Sequence, residues 1–528
     1  MDDLESALKY NLAAVTATPI GHPDLAGYQH SLAVSYGQHF QRLGSLDDLE
    51  SALKYMQAAV AATPIGHPDL VDYQQNLAVS YTDHFQRLGN LDDLHTALKY
   101  KQAAIATTPI DHPHLAAYQQ NLAVSYTDRF QMLGILVDLE SAFKCDLAAV
   151  AAAPVGHPNL AVYQQSLGMS YSDYFERLGN LDYLESALKY FHIAIAAIPI
   201  GHPNLAGCQQ NLALSYAHKF QTLGNIDDLH CALFYFHAST QSQTANPQVL
   251  MASAKKWADL ANENNLPECM DAYSSAISTL PNLLWMGNAL SVHHEALLQH
   301  DIAVLTVEGA AACIEFDNYE LAVELLERGL DTTYQQLLQL RDEFTELERY
   351  HFNLAKKLKQ VSLQLQNWAT QSFSTSKENL SMNNHHEVAI QRVKLIRKIR
   401  NLPQFEHFLM PQVYQQLCLA AEHGPVVMIN CTDPQSDAIM LLSPKRPIYH
   451  VAFPDVSLQA AGEQLQILKD AITEASQLDQ HCSSDQAKAQ QVNVQRILQG
   501  VVSWLWTMVV SPIFEALHMA SDCSHFYW

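Results

Sequence analysis

Between residues 46 and 89, apolar side chains return every three or four positions in two successive blocks. Leu49, Ala52, Leu53, Met56, Ala59 and Val60 fall on one side of a first helix, and Leu70, Tyr73, Leu77, Ala78, Tyr81 and Phe85 on one side of a second. The punctuation agrees. Pro64 cannot continue the first helix, Pro68 suits a first turn, Asp69 puts negative charge at the positive end of the dipole, and Gly89 closes the second helix. Neither apolar face can be buried by one helix alone, so each pair closes on itself and then on the next pair. Leu46, Leu91, Leu136, Leu181 and Ile226 open the same phrase, 45 residues apart each time. A fixed period of that size predicts a stacked array of helical hairpins. Small residues at Ala52, Ala59, Ala78, Ala97 and Ala123 mark close helix approach. Met1 stands at the position of Leu46, so the chain reads as opening inside a longer array, without the first helix of its first unit.

These residues resemble the tetratricopeptide repeat, whose signature is matched by Leu77, Ala78, Tyr81, Ala97, Tyr100, Ala103 and Pro109. The departure is length: the usual repeat is shorter, and the extra residues fall in the FQRLGNLDDL connection. The wording HPDLxxYQQNLAVSY is most similar to the kinesin-light-chain variety, over five units in residues 1–245.

Stacked pairs of this kind form a concave surface lined by one helix of each pair. On those helices a second stripe reads Asp72, Asn76, Val79, Asp83, then Ala117, Asn121, Val124, Asp128, then Val162, Ser166, Met169, Asp173. In kinesin-light-chain-like repeats the Asn preceding Leu-Ala hydrogen-bonds the backbone of an extended peptide. The resemblance carries that role to Asn76, Asn121 and Asn211, while Ser31 and Ser166 depart from it. An amide offers both donor and acceptor, as a peptide backbone requires. Asp83, Asp128 and Asp173 would favour a basic segment, and Val79 and Val124 complete the groove. The alternative, that these Asn and Asp residues merely solvate and cap their helices, stays open. His22, His67, His112, His157 and His202 recur once per repeat, roughly a helix-pair spacing of about 10 Å or more apart, too far to share one metal ion; they read as residues of the helix start.

After residue 245 the period stops but helical spacing continues, predicting a helical connector over 246–371. A polar linker spans 372–400. From 401, PVVMINC, DAIMLLS and PIYHVAF are short apolar runs between turn residues, followed by helical patterns, which predicts an α/β domain. The segments ELAVELLERGLDTTYQQLLQLRDEFTEL, FEHFLMPQVYQQLCLAAEHGPVVMINCTDPQSDAIMLL and VVSWLWTMVVSPIFEAL are similar in order and spacing to the caspase-like CHAT domain found behind such repeats in fungal proteins. That resemblance implies a His/Cys protease dyad beyond the helix matched by 501–517, where the chain stops; 401–528 then reads as the front part of such a domain. A sheet cut short in this way would leave an unpaired edge and be poorly stable alone. Cys431, Cys523 and His525 do not replace the dyad: a terminal tail seldom fixes two groups, and Cys431 reads as a small apolar residue.

Charge narrows the partners. With 30 Lys+Arg against 54 Asp+Glu the net charge is −24, which repels phosphate backbones and anionic lipid and favours a basic protein segment. Nine cysteines without a CxxC pair or metal spacing suit reduced thiols in the cytoplasm. Ile497–Phe514 runs without a charge, but Gln499, Gly500, Ser503, Ser511 and Pro512 interrupt it, so a buried helix is expected rather than a membrane anchor. The sequence thus predicts a mainly α protein: an α-α superhelix, a helical connector and a partial α/β caspase-like domain. The expected function is a scaffold binding an extended peptide, with neither cofactor nor metal. The other reading is a fragment of a repeat-regulated cysteine protease.

Overall fold

The computed structural model describes residues 2–43, 45–284, 302–329, 344–369, 388, 391–392, 394–406, 408–409, 412–433, 436–477 and 484–520. The polar stretch 372–387, Cys523 and His525 lie outside these residues. Two compact units emerge, one holding Met1–Ser253 and the other Ala254–Gln371 with Val388–Trp528.

The first unit is a solenoid of helix pairs: α1 Asp2–Ala17, α2 Leu25–Leu43, α3 Leu46–Ala62, α4 Leu70–Leu88, α5 Leu91–Thr107, α6 Leu115–Leu133, α7 Leu136–Ala152, α8 Leu160–Leu178, α9 Leu181–Ala197, α10 Asn204–Leu223 and α11 Ile226–Thr240. The tightest hairpins are α2–α3, α4–α5, α6–α7, α8–α9 and α10–α11. The even-numbered member will be called the A helix and the odd-numbered one the B helix.

Each A helix from α4 onward ends on a glycine in the left-handed region, at Gly89, Gly134, Gly179 and Gly224, whose N–H bonds back to Phe85, Phe130, Phe175 or Phe220. A side chain there would strain the backbone, so glycine fixes the reversal. The next residue caps the B helix: Asn90, Asn180 and Asn225 accept from Asp92, Asp182 and Asp227 N–H. At the same place α7 has Ile135 and no cap bond. Replacing Ile135 with Asn should therefore raise stability by about 1 kcal/mol. Equal midpoints of denaturant unfolding for the two proteins would contradict it.

The hairpins are also pinned beside their turns. His39 and Asp48 lie 2.7 Å apart, His84 and Asp93 2.8 Å, and Arg129 grips the buried Asp138 with two nitrogens. In the fifth hairpin Lys219 faces Asp228. The fourth exchanges both partners for Tyr174 and Tyr183, whose rings meet at 5.3 Å. The pair changes together because one charge left alone in that half-buried place would be destabilising.

The B-to-A turns confirm the histidine reading. In all five, the ring Nδ1 of His22, His67, His112, His157 or His202 accepts the N–H two residues on, at 3.1–3.2 Å. Asp69 forms no side-chain cap bond of its own.

The array's packing continues past residue 245. Helix α12, Pro247–Glu263, joins Ser253 to Ser239 of α11 at 2.9 Å, and Ser239 donates to the Ala206 carbonyl.

In the second unit, α13 Glu268–Leu284 meets the helix Ile302–Glu315 where Gly309 passes the buried Tyr273. A Cβ on Gly309 would lie 3.0 Å from the Tyr273 Cβ. The helix Thr345–Ala369, broken at His351, packs with 396–405 around Phe344, Leu347, Leu358, Ile399 and Phe405.

The three apolar runs form strands, as expected. β1 Val426–Cys431, β2 Ser436–Leu441 and β3 Tyr449–Phe453 form an antiparallel meander in the order β1-β2-β3, with the helices following afterwards. Short turns suffice for antiparallel neighbours, whereas a parallel pair needs a crossover helix that this stretch lacks room for.

The apolar run near the C-terminus corrects an expectation. The continuous helix over Val492–His518 is long and apolar enough to cross a membrane, by length and composition, but only 11% of its most apolar window is buried. Val509, Ile513 and Leu517, one turn apart, meet Ala438, Met440 and Phe453 of the sheet. One stripe is thus covered, while Val502 is 64% exposed and Trp506 54%. A π-turn at Trp506–Val510 precedes Pro512, whose ring would clash with the carbonyl four residues back in regular helix.

Candidate functional site

The residues singled out on the A helices occupy equivalent places, one per repeat. Asn76, Asn121 and Asn211 are half-buried, Val79 is half-buried and Val124 exposed. Asn76 already engages a neighbour, its Nδ2 lying 2.8 Å from His30 Nε2 on the preceding A helix. His30 in turn stacks on Tyr73, and Tyr118 donates to the Asp72 carboxylate, so adjacent A helices are stitched along this face.

Asp83, Asp128 and Asp173 are half-buried rather than solvated, and burial raises the pKa of all three, that of Asp173 to about 6. Two of them have an internal cation. Lys101 of α5 is 2% exposed, and its Nζ donates to Thr82 Oγ1 at 3.1 Å, to the Asn121 carbonyl at 3.0 Å and to Ser125 Oγ at 2.6 Å. Burial lowers its pKa to about 8 despite the attraction of Asp128 and Asp83.

Lys101 was hidden by a register slip. Ala97, Lys101 and Ala104 form the buried face of α5, whereas Tyr100 is half-buried and Ala103 exposed. The B-helix signature therefore runs one residue later than Tyr100 and Ala103 suggest, and a lysine occupies its large core position. Aligning the repeats at that position gives Asn11, Met56, Lys101, Asp146, Phe191 and Phe236. The apolar members are fully buried, with Phe191 and Phe236 each 1% exposed. The polar ones reach for equivalent serines: Asn11 Nδ2 donates to Ser35 Oγ at 2.9 Å, and Ser170 Oγ donates to Asp146 Oδ2 at 2.6 Å. Asp146 is 3% exposed, and burial pushes its pKa up to about 7, with Asp173 adding like-charge repulsion.

A further periodic feature escaped notice in the sequence. Ile20, Ile65, Ile110, Val155 and Ile200, each following the proline of a B-to-A turn, stand almost fully exposed. Their side chains contribute nothing to the core, so no 3/4 spacing marks them.

In the second unit Cys431 accepts from Ser436 Oγ at 3.2 Å, and His450 Nε2 lies 2.7 Å from Asp437 Oδ1. Cys431 is registered with Ser436 and His450 with Ile439. Strand alternation then places Cys431 and His450 on opposite faces of the sheet, so they do not converge as a dyad. Among the described residues, no group of three or more His, Cys, Asp or Glu side chains is arranged to hold a metal.

The geometry defines a helical-repeat solenoid of tetratricopeptide type joined to a second unit of helices and a small meander. Solved structures similar to it include a putative kinesin light chain with nearly identical tetratricopeptide-like repeats from Podosopora anserina, at 21% identity over 42% of this chain and 99% of that one, with a TM-score of 0.31. Another is BtubC (BKLC) from P. vanneervenii, at 16% identity over 46% of this chain and 91% of that one, with a TM-score of 0.32. The fold stands on this chain's own helix pairs rather than on those likenesses. No protein family and no curated protein matches the chain.

Proposed function

We propose that the first unit is a protein-interaction scaffold whose A-helix face binds an extended segment of another protein. The observation that carries this reading is the row Asn76, Asn121 and Asn211: three amides at one equivalent place on successive A helices, each partly open to solvent. Val79 and Val124 lie one turn further along the same face. Lys101 attracts both Asp83 and Asp128, whereas no lysine or arginine among the described residues offsets Asp173, so a basic segment is favoured most around Asp173. Seven cysteines among the described residues are free thiols, which supports a reducing, cytoplasmic setting. The proposed likeness of the second unit to the front of a CHAT domain rests on its order of segments. The opposed Cys431 and His450 lend the protease reading no support.

A peptide array probed with the full chain would supply ligands, and the triple variant Asn76→Ala, Asn121→Ala, Asn211→Ala should weaken the best of them by about 10- to 1000-fold, each hydrogen bond contributing about 0.5–1.5 kcal/mol. Unchanged affinity would remove the groove from this face.

A further inference from the structure

The helix over Val492–His518 is covered unevenly along its length. Its C-terminal part lays Val509, Ile513 and Leu517 on the sheet, whereas Val492, Leu498, Val502, Leu505 and Trp506, nearer its N-terminus, stay exposed. Gln495, Leu498, Gln499, Val502, Ser503 and Trp506 line a shallow groove there. The exposed positions are ordered. Val492, Gln495, Gln499, Val502 and Trp506 follow one another at steps of three, four, three and four, the spacing of a seam that meets a second helix. Leu498 and Leu505 flank this seam on one side, Arg496 and Ser503 on the other.

Three features of this face point to its occupant. The first is that its two flanks match themselves. When two copies of the helix run in opposite directions, like flanks meet: Leu498 of one copy lies against Leu505 of the other, and Arg496 against Ser503. A parallel pair would set the leucines against the polar flank instead. Along the seam Trp506 then meets Gln495 and Val502 meets Gln499, and the glutamine amides bring both donor and acceptor to the contact. In lipid those amides would have no partner. The second feature is charge. Arg496 carries the only charge between Val492 and Phe514, while the chain as a whole carries −24, so two copies meet here without the repulsion that governs them elsewhere. The third is area. Covering the exposed parts of the five apolar side chains in both copies removes roughly 1,000 Å² of surface, the threshold of a specific interface, and the polar residues between them add to it.

We propose that two copies of this chain associate through the exposed face of this helix, crossing antiparallel with the twofold axis between Gly500 and Val501. The same patch serves both partners, so the contact closes on itself and stops at two. It is independent of the A-helix face and of any peptide bound there.

Sedimentation equilibrium of the full chain over about 1–100 µM should show the mass rise from that of one chain toward that of two. Val502→Asp puts an unpaired charge in the seam and should weaken the pair by about 100-fold. Ser503 tests the register, because it is exposed and the antiparallel crossing sets it beside Arg496 of the other copy. Ser503→Glu should tighten the pair by about 2- to 10-fold and Ser503→Lys weaken it by as much. Bulk repulsion between two acidic chains would order these two variants the other way. A single-chain mass at every concentration overturns the proposal, and flotation of that monomer with phosphatidylcholine vesicles would then give the face to lipid. A pair that Val502→Asp leaves intact overturns it as well, as does one that Ser503→Lys tightens and Ser503→Glu weakens. None of these outcomes touches the Asn76, Asn121 and Asn211 test, which reads peptide affinity.

Discussion

Lys101→Ala should lower stability by about 3–5 kcal/mol, the range expected when one partner is taken from a buried charged network. The loss has three parts. Thr82, Ser125 and the Asn121 carbonyl lose their donor. Asp83 and Asp128 lose the positive charge that offsets their burial. A cavity opens at a position that Met56, Phe191 and Phe236 fill in other repeats. Lys101→Met restores the volume without the bonds and should fall between the alanine variant and the native chain. The pH dependence carries a second signature. With its pKa lowered to about 8, folded Lys101 releases its proton well before the unfolded side chain does, near pH 10.4. The unfolded chain binds more protons in that interval, so native stability gains from this group as pH rises from about 8 to 10, and both variants should lose that gain. Repeat arrays open unit by unit, so hydrogen exchange along α5 and α6 reports the effect more directly than a global midpoint. Exchange rates there that match the native chain's would refute it.

Asp146→Asn should act in the opposite direction, stabilising the array by about 2–4 kcal/mol at pH 8. Burial lifts the Asp146 pKa to about 7, above its unfolded value, so the folded carboxyl holds a proton that the unfolded one gives up. The native chain is therefore most favoured by this group below about pH 4, loses that contribution as pH climbs toward 7, and stays at the lower level beyond. Asparagine cannot ionise, still offers an oxygen to Ser170, and removes the repulsion on Asp173. The gap between variant and native chain should thus be near zero at pH 4 and full at pH 8, read by hydrogen exchange along α7 and α8. A gap of constant size across that range would show that Asp146 ionises in place at little cost.

Much of the architecture was legible because its causes are local. The 45-residue period, the glycine stops at Gly89 and Gly134, and the histidine turns all depend on side chains acting on backbone within a few residues. Lys101 and Asp146 were not legible from amphipathic spacing, since a charge read alone is assigned to the solvated face; alignment of the repeats at Met56 and Phe191 was the available signal. The Asp83, Asp128 and Asp173 row was visible as a row, but the lysine that two of them face sits on another helix. In the second unit, short apolar runs established that strands exist, while direction depends on pairings that no local pattern encodes. The exposure of Val502 and Trp506 shows the converse limit, because an uncharged run states only what a helix tolerates.

The uniform hairpin closures bear on how such a gene can change. Because every phrase begins and ends in the same geometry, a copying slip that drops or doubles one whole phrase still yields a chain whose helices pair. The core position makes some slips costlier than others. Removing residues 91–135 would set α7 directly after α4, bringing Asp146 beside Asp83 and discarding Lys101, so that carboxylates would face one another with no internal cation left among them. Doubling a phrase built on Phe191 adds only more apolar core. Inherited variation in array length should therefore gather toward the phenylalanine end of the solenoid, with the phrases of Lys101 and Asp146 keeping their order.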